Sequence, residues 1–181
     1  RPVSDIIGQS FPASLILGVV ALGIAVVIGI PLGAVSALRK NSIVEYVGMA
    51  FAMIGICVAS FVIGSLLQRY VAMPLPFLNI AGWGSVQDVL LPALTLALAP
   101  AAYLARLTRA GLLEILSQDY IRTAYAKGVP AGRVIVKHAL RGGLIPAISY
   151  LGPAFATLIS GSFIVETIFS VPGMGQHFVN A

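Results

Sequence analysis

Charge is what this sequence has least of. Only 9% of its 181 residues are Asp, Glu, Lys or Arg, where a soluble domain carries about a quarter. Cysteine is nearly absent as well, and the single Cys57 excludes a disulfide within the chain. It falls in an apolar run, where a small core residue is its expected role. There are 2 histidines, His138 and His177. The topology derived below puts them on opposite sides of a membrane, so they cannot form a metal pair or share a catalytic dyad, and each reads as an ordinary surface histidine. The sequence has no H-E-x-x-H, no aspartate pair of the aspartyl-protease kind and no G-x-x-x-x-G-K-[ST]. It therefore assigns no catalytic residue and no metal ligand, and no phosphate loop by which this chain would itself hold ATP.

Apolar residues are what it has instead. They make up 59% of the chain, and the mean hydropathy is +0.99. No Asp, Glu, Lys, Arg or His lies between Asp5 and Arg39, Glu45 and Arg69, Asp88 and Arg106, or Arg141 and Glu166. Each run approaches or exceeds the roughly 18–20 apolar residues that carry a helix across a bilayer. Transmembrane β-strands would alternate apolar with polar residues, and SLILGVVALGIAVVIGI does not. The expected fold is all-α: a polytopic membrane bundle with helices over about 10–38, 44–69, 87–110 and 142–167, in one domain covering 1–181. No Asp, Glu, Lys, Arg or His falls near the middle of any run, so the residue that a proton- or ion-driven carrier normally keeps there is missing. The chain opens on Arg1 rather than Met, as expected of a piece of a longer protein.

Basic residues set the orientation. Arg39 and Lys40 lie between the first two runs. Arg106, Arg109, Arg122, Lys127, Arg133, Lys137 and Arg141 lie between the last two. Only Arg1 and Arg69 fall on the other side, so residues 39–43 and about 106–141 are expected to face the cytoplasm. With Glu114 and Asp119 the second loop carries net +5, the whole formal charge of the chain. Topology and attraction to anionic lipid explain that sign. The loop is short and tied to a membrane, so no nucleic-acid partner is expected despite the positive footprint.

The loop also has internal order. Ser117 reads as an N-cap with Asp119 in the first turn of a helix over about 118–127. Lys127 closes that helix, and Gly128 stands where a left-handed residue follows a C-terminus. Pro130 and Gly132 form a turn into a second helix over about 131–141. Val134, Ile135, Ala139 and Leu140 recur along it at helical spacing. Arg133, Lys137 and Arg141 recur every four residues on another face. A disordered tether needs no caps and no apolar stripes, so the loop reads as a docked helix-turn-helix.

Small residues recur at four-residue spacing: Gly29 with Gly33, Ser60 with Gly64, and Gly152 with Ala156 and Ser160. Such stripes let helices approach closely, here most simply within the chain. Pro31, Pro92, Pro100, Pro146 and Pro153 weaken local helical bonds or mark helix ends. Glu166 sits near the outer end of the last run. It reads either as an interfacial carboxylate wetted by outside water, or, with Pro172 and Gly173, as an outer gate or subunit interface. Trp83 reads as an interfacial anchor.

RTAYAKG followed by RVIVKHALRGGLIP resembles the cytoplasmic signature of permease subunits of bacterial ABC importers, in which E-A-A precedes a glycine. Arg122, Thr123 and Ala124 occupy the E-A-A positions, and Gly128 is the glycine. Arg-Thr-Ala, Ala126-Lys127-Gly128 and His138-Ala139-Leu140-Arg141 are similar to the peptide/nickel branch. SYLGPAFATLISGSFIVETIFSVPGMGQHFVN is similar to the first permease subunit of oligopeptide transporters. Tyr125 and Gly142 depart from that branch, where Arg and Asn are usual.

The resemblance implies six helices per subunit, of which this fragment would hold the second to fifth. It implies a bacterial inner-membrane location and a heterodimer with a second permease. It also implies two cytoplasmic ATPases carrying ATP and Mg, and an extracytoplasmic solute-binding protein. Arg122, Thr123, Ala124, Ala126, Lys127, Gly128, Arg133, His138 and Arg141 would then couple to an ATPase, and this chain would bind no cofactor. The transported solute would be an oligopeptide, a dipeptide, a glutathione-like peptide or a nickel chelate. Two other classes compete: a self-sufficient channel or carrier, and a membrane enzyme using an intramembrane Ser. The last lacks a base to activate its nucleophile.

Overall fold

The computed structural model describes residues 3–74 and 82–174, with side chains from Ser10 onward except those of Val86 and Gly161. His177 and Arg1 lie outside the described residues. Every regular element among the described residues is helical.

Helix α1 (Val3–Leu38) runs through Pro12 and Pro31. At about 1.5 Å per residue it is longer than the hydrocarbon core it would cross. Helix α2 (Ile43–Cys57) follows a tight turn in which Asn41 has φ 62°. Helix α3 (Ser60–Leu67) continues as a π-helical turn, Gln68–Ala72. Helix α4 (Val86–Leu116) is the longest interior element and contains Pro92 and Pro100. Short helices α5 (Asp119–Ala126), α6 (Ala131–Arg133) and α7 (Leu140–Gly143) follow, with a π-helical stretch at Val134–Ala139 joining the last two. Helix α8 (Ile145–Gly161) and helix α9 (Phe163–Ile168) end the described chain.

Among the described residues, Ser10–Leu38 and Gln87–Leu116 are each long and apolar enough to cross a membrane. Two bent pairs meet the same condition jointly: Ile43–Cys57 with Ser60–Ala72, and Ala131–Gly143 with Ile145–Ser160.

Three expected spans differ from the observed elements. The run over 44–69 is not one helix, because Val58 and Ala59 are extended and the halves bend by 105°. Packing explains the break, which no proline announces. A Cβ on Gly55 would stand 3.2 Å from the Leu98 carbonyl oxygen of α4, and one on Gly64 would stand 3.3 Å from Thr95 of α4. A straight helix would separate the two glycines by about 13 Å, whereas Leu98 and Thr95 lie within about 5 Å along α4. Only a bend brings both close to α4. The third run extends to Leu116, because AGLLEIL contains no breaker and Leu112 is fully buried. The fourth run is interrupted at Ser162.

The core is a seam of small residues. On α4, Ala93, Ala97, Ala101 and Ala105 are buried at four-residue spacing, facing a cluster that includes Ala21 and Ala25 of α1. The seam is closest at Gly29, where an added Cβ would lie 2.8 Å from Leu104 Cβ, and at Gly33, where it would lie 2.8 Å from Thr108 Cβ. The expected within-chain packing is observed at Gly29, Gly33 and Gly64, whereas Ser60 is half-buried and lines a cavity. The third stripe differs: Gly152, Ala156 and Ser160 point outward, and nothing lies within 4 Å of a Cβ built on Gly152. Cys57 is exposed beside the α2–α3 break rather than in the core, and Trp83 packs against the edge of the main cluster.

A methyl group isolates the seam. Gly33→Ala should destabilise the detergent-solubilised protein by about 1–3 kcal/mol through overpacking. Gly23→Ala, with nothing within 4 Å of its new Cβ, should be neutral or stabilising by up to about 1 kcal/mol. Thermal unfolding of the two variants side by side checks this.

Candidate functional site

The basic loop leaves the end of α4 without a pause. Ser117 is the C-cap of α4, and its hydroxyl donates to the Glu114 carbonyl at 2.6 Å. It is not the N-cap of α5 as its sequence position suggests. Gln118 holds that place with extended backbone and no side-chain bond. The Ser117 hydroxyl turns back to the last turn of α4, joining its own N–H, which donates to the same Glu114 carbonyl at 3.2 Å. The Asp119–Arg122 pair is 3.9 Å apart with both side chains largely in solvent, so it adds little.

The end of α5 is closed by a double bond pattern. Val129 N donates to the Ala124 carbonyl at 3.2 Å, and Gly128 N donates to the Tyr125 carbonyl at 2.9 Å. This is a Schellman turn, which needs a left-handed residue at Gly128, and its φ is 77°. A Cβ at Gly128 would meet nothing within 4 Å. Glycine is therefore required here by backbone torsion rather than by crowding inside this chain. Pro130 then caps α6, accepting from Arg133 N at 2.9 Å and Val134 N at 3.1 Å. Gly132, expected in the turn, lies within α6.

An apolar underside docks the loop. Ile121, Val134 and Ala139 are buried in a second cluster with Leu112 of α4 and Ala37 of α1, and Ala124, Val129 and Leu140 pack against its rim. Two glycines fix the return strand of the loop to α4. A Cβ on Gly111 would run into the Gly143 carbonyl oxygen, and one on Gly143 would lie 2.8 Å from Leu112 Cδ2. The outer surface carries the other candidate residues. Arg122, Thr123, Ala126, Lys127, Gly128, Arg133, His138 and Arg141 are all exposed, and Ala124 is half-buried. The structure thus brings Arg122 through Gly128 together on one short helix and its turn. Arg133, His138 and Arg141 lie on the neighbouring segment. Tyr125 and Val136 add exposed apolar area to the same surface.

A support beneath the loop is absent from the sequence reading. Arg109 of α4 forms an ion pair with Glu45, its Nε donating to Glu45 Oε1 at 2.8 Å. The other oxygen of Glu45 accepts from Asn41 N. The pair therefore ties the 39–42 turn to α4 just before the loop. Ser42-Ile-Val-Glu45 has the form of a capping box, which is the local signal for Glu45 in the sequence. Glu45 N donates to Ser42 Oγ at 3.3 Å, while the carboxylate takes Asn41 N and Arg109 in place of the cap's own N–H.

Glu166 is not wetted. It is fully buried, and its Oε1 accepts from Ser14 Oγ at 2.8 Å and from Ser162 Oγ. The Ser14 hydroxyl in turn accepts from Met174 N at 3.1 Å. A Cβ on Gly173 would overlap the Glu166 carboxylate. The reason is the loop after α9, which folds back so that Val171 N reaches the Glu166 carbonyl at 2.9 Å. Pro172 stays exposed. No group of three or more His, Cys, Asp or Glu suited to a metal occurs among the described residues.

A helical membrane protein with a rigidly docked basic loop on one side is the class that these features define. Residues 29–181 match the family described as "Binding-protein-dependent transport system inner membrane component", and the chain belongs to that family. The chain is 44% identical over 179 residues to the dipeptide transport system permease protein DppB of Bacillus subtilis (strain 168), covering 99% of this chain and 58% of that one. It is also 44% identical over 180 residues to the oligopeptide transport system permease protein OppB of Salmonella typhimurium, covering 98% and 59%. The chain thus spans about three-fifths of the length of these relatives. In fold it is similar to a chain of the MetNI methionine ABC transporter in inward-facing conformations, with TM-score 0.80 and 18% identity over 99% of this chain and 82% of that one. An amino acid ABC transporter with histidines gives TM-score 0.73 at 16% identity, covering 97% and 77%.

Docking of the loop can be measured alone. Ile121→Ala should remove about 2 kcal/mol or more of burial energy. Local opening of residues 117–143 should then be about 30-fold more populated. Amide hydrogen exchange of the loop checks this, with the α1–α4 seam as the unchanged reference.

Proposed function

We propose that this chain is part of the membrane-spanning permease subunit of an ATP-driven importer of oligopeptides or dipeptides. The observation that carries the proposal is the outward-facing Schellman turn at Gly128, held on a loop that is packed firmly against α4. Family membership and the peptide transport named for both relatives support it. The chain is then a transport subunit rather than an enzyme, and it binds no cofactor itself.

In this reading Arg122, Thr123, Ala124, Ala126, Lys127 and Gly128 present a short helix to a groove on a cytoplasmic ATPase. Arg133, His138 and Arg141 flank it. Two ATPases hold ATP and Mg, a second homologous permease completes the path, and an extracytoplasmic binding protein delivers the solute. Motion of the ATPases pushes α5. The second apolar cluster and the Gly111–Gly143 contact pass that push to α4 without slack, because packed interiors transmit displacement rather than absorb it. The seam carries it to α1, and the bundle rocks between inward- and outward-facing states. At the other end Glu166, Pro172 and Gly173 hold the outer closure.

Two substitutions at one position test the coupling. Asn and Asp both tolerate a left-handed backbone better than other side chains do, so they differ chiefly in charge. Gly128→Asp should abolish labelled-peptide uptake while the protein still inserts, and Gly128→Asn should retain more. Normal uptake by Gly128→Asp would remove the proposal.

A further inference from the structure

One face of α4 remains without an assigned partner. Ala99, Tyr103, Arg106 and Ala110 follow one another at helical spacing, and none of the four is buried. Two cavities open along this face. The upper, of about 210 Å³, is lined by Ser60, Pro100, Tyr103, Tyr150 and Thr157 among others. The lower, of about 400 Å³, is lined by Met49, Tyr103, Arg106, Arg109 and Ala110 with Leu107. Tyr103 is a wall of both, and its ring lies 5.7 Å from that of Tyr150.

Three features argue that this face meets water and solute rather than lipid. The extended residues Val58 and Ala59 adjoin Ser60 at the upper cavity. Non-helical backbone at membrane depth is tolerated only inside protein or beside a water-filled cavity, and broken helices recur at transporter substrate sites. The phenols of Tyr103, at the middle of α4, and Tyr150 of α8 both line the upper cavity, with about 25 Å of helix before Tyr103 and about 20 Å after it. Arg106 is exposed and has no ion-pair or hydrogen-bond partner among the described residues. Arg109, by contrast, is committed to Glu45.

We infer that this face of α4 lines the solute path, and that Arg106 receives a carboxylate of the passing solute at its inner end. The inference rests on the importer reading above. The solute class is a peptide-like molecule with a free C-terminal carboxylate. Its backbone lies along the uncharged upper cavity, and its carboxylate reaches the fork of Arg106, which matches that group's planar geometry. The described residues lining the two cavities include no acid, so this chain makes no matching demand on the amino end.

The test uses the complete transporter in proteoliposomes, with both permeases, the ATPases and the binding protein saturated by each probe. The probes are one radiolabelled tripeptide with a free carboxylate and the same tripeptide as its C-terminal amide. The native assembly should move the free acid about tenfold faster, within the range of one charge-assisted pair. Arg106→Gln should bring the ratio near one, and Arg106→Lys should restore part of it. A ratio kept by Arg106→Gln overturns the inference. So does an equal loss for both probes, which would give Arg106 to an anionic lipid headgroup or to structure.

A second readout does not depend on rate. In a cysteine-free background with Cys57→Ser, Ala99→Cys should react with a water-soluble thiol reagent at least tenfold faster than Val27→Cys. Val27 is 72% exposed on the apolar α1. Equal reactivity at Ala99 and Val27 overturns the path assignment while leaving the importer reading standing. If the native assembly moves neither peptide, both readings fall.

Discussion

The fold depends on how closely α4 approaches its neighbours. In lipid no hydrophobic force draws one helix to another, so contact area and backbone proximity must supply the attraction. Here the proximity is bought with missing side chains. Gly29 and Gly33 of α1 lie against the backbone of α4 at Ala101 and Ala105, and Gly111 of α4 lies against the backbone at Gly143. These contacts sit along one helix, so α4 is bound to α1 at its middle and to the cytoplasmic loop at its end. Such a helix cannot bend its ends independently, which suits a part that relays position over distance.

Charge is then used sparingly and locally. The Glu45–Arg109 pair fastens the 39–42 turn to α4, and exposed cations cover the loop's outer surface. The bundle interior has almost none. Its buried polar groups are mostly hydroxyls such as Ser10, Ser14, Ser36, Thr95, Thr108 and Ser162. Several elsewhere, such as Thr157 and Ser160, return their proton to a carbonyl four residues earlier and so stay satisfied in an apolar medium.

Much of this was legible in the sequence, and the limits have physical causes. The helical class followed from uncharged runs too long and too uniform for strands. The left-handed turn at Gly128 followed from local stop chemistry, because a Schellman turn is decided within a few residues. The break at Val58–Ala59 was not legible, since it arises from where α4 presents Leu98 and Thr95, and no local residue encodes that. Burial of Glu166 was hidden for the same reason. Its partner Ser14 is 152 residues away, and a carboxylate near a span end looks the same to periodicity whether water or a serine meets it. Gly152, Ala156 and Ser160 show the reverse case: the spacing was right, and the face was set by neighbours that spacing cannot locate.

The clasp around Glu166 also has a place in time. Ser14 lies on α1, while Ser162, Glu166 and Met174 lie about 150 residues later in the described chain. During synthesis α1 enters the membrane long before any of them exists. Its serine must wait, satisfied by its own helix or by water, until almost all of these residues have been made. The clasp around Glu166 can therefore close only after α9 has been made. A chain halted short of residue 166 would hold α1, α4 and α8 and still lack the bond that joins α1 to α9.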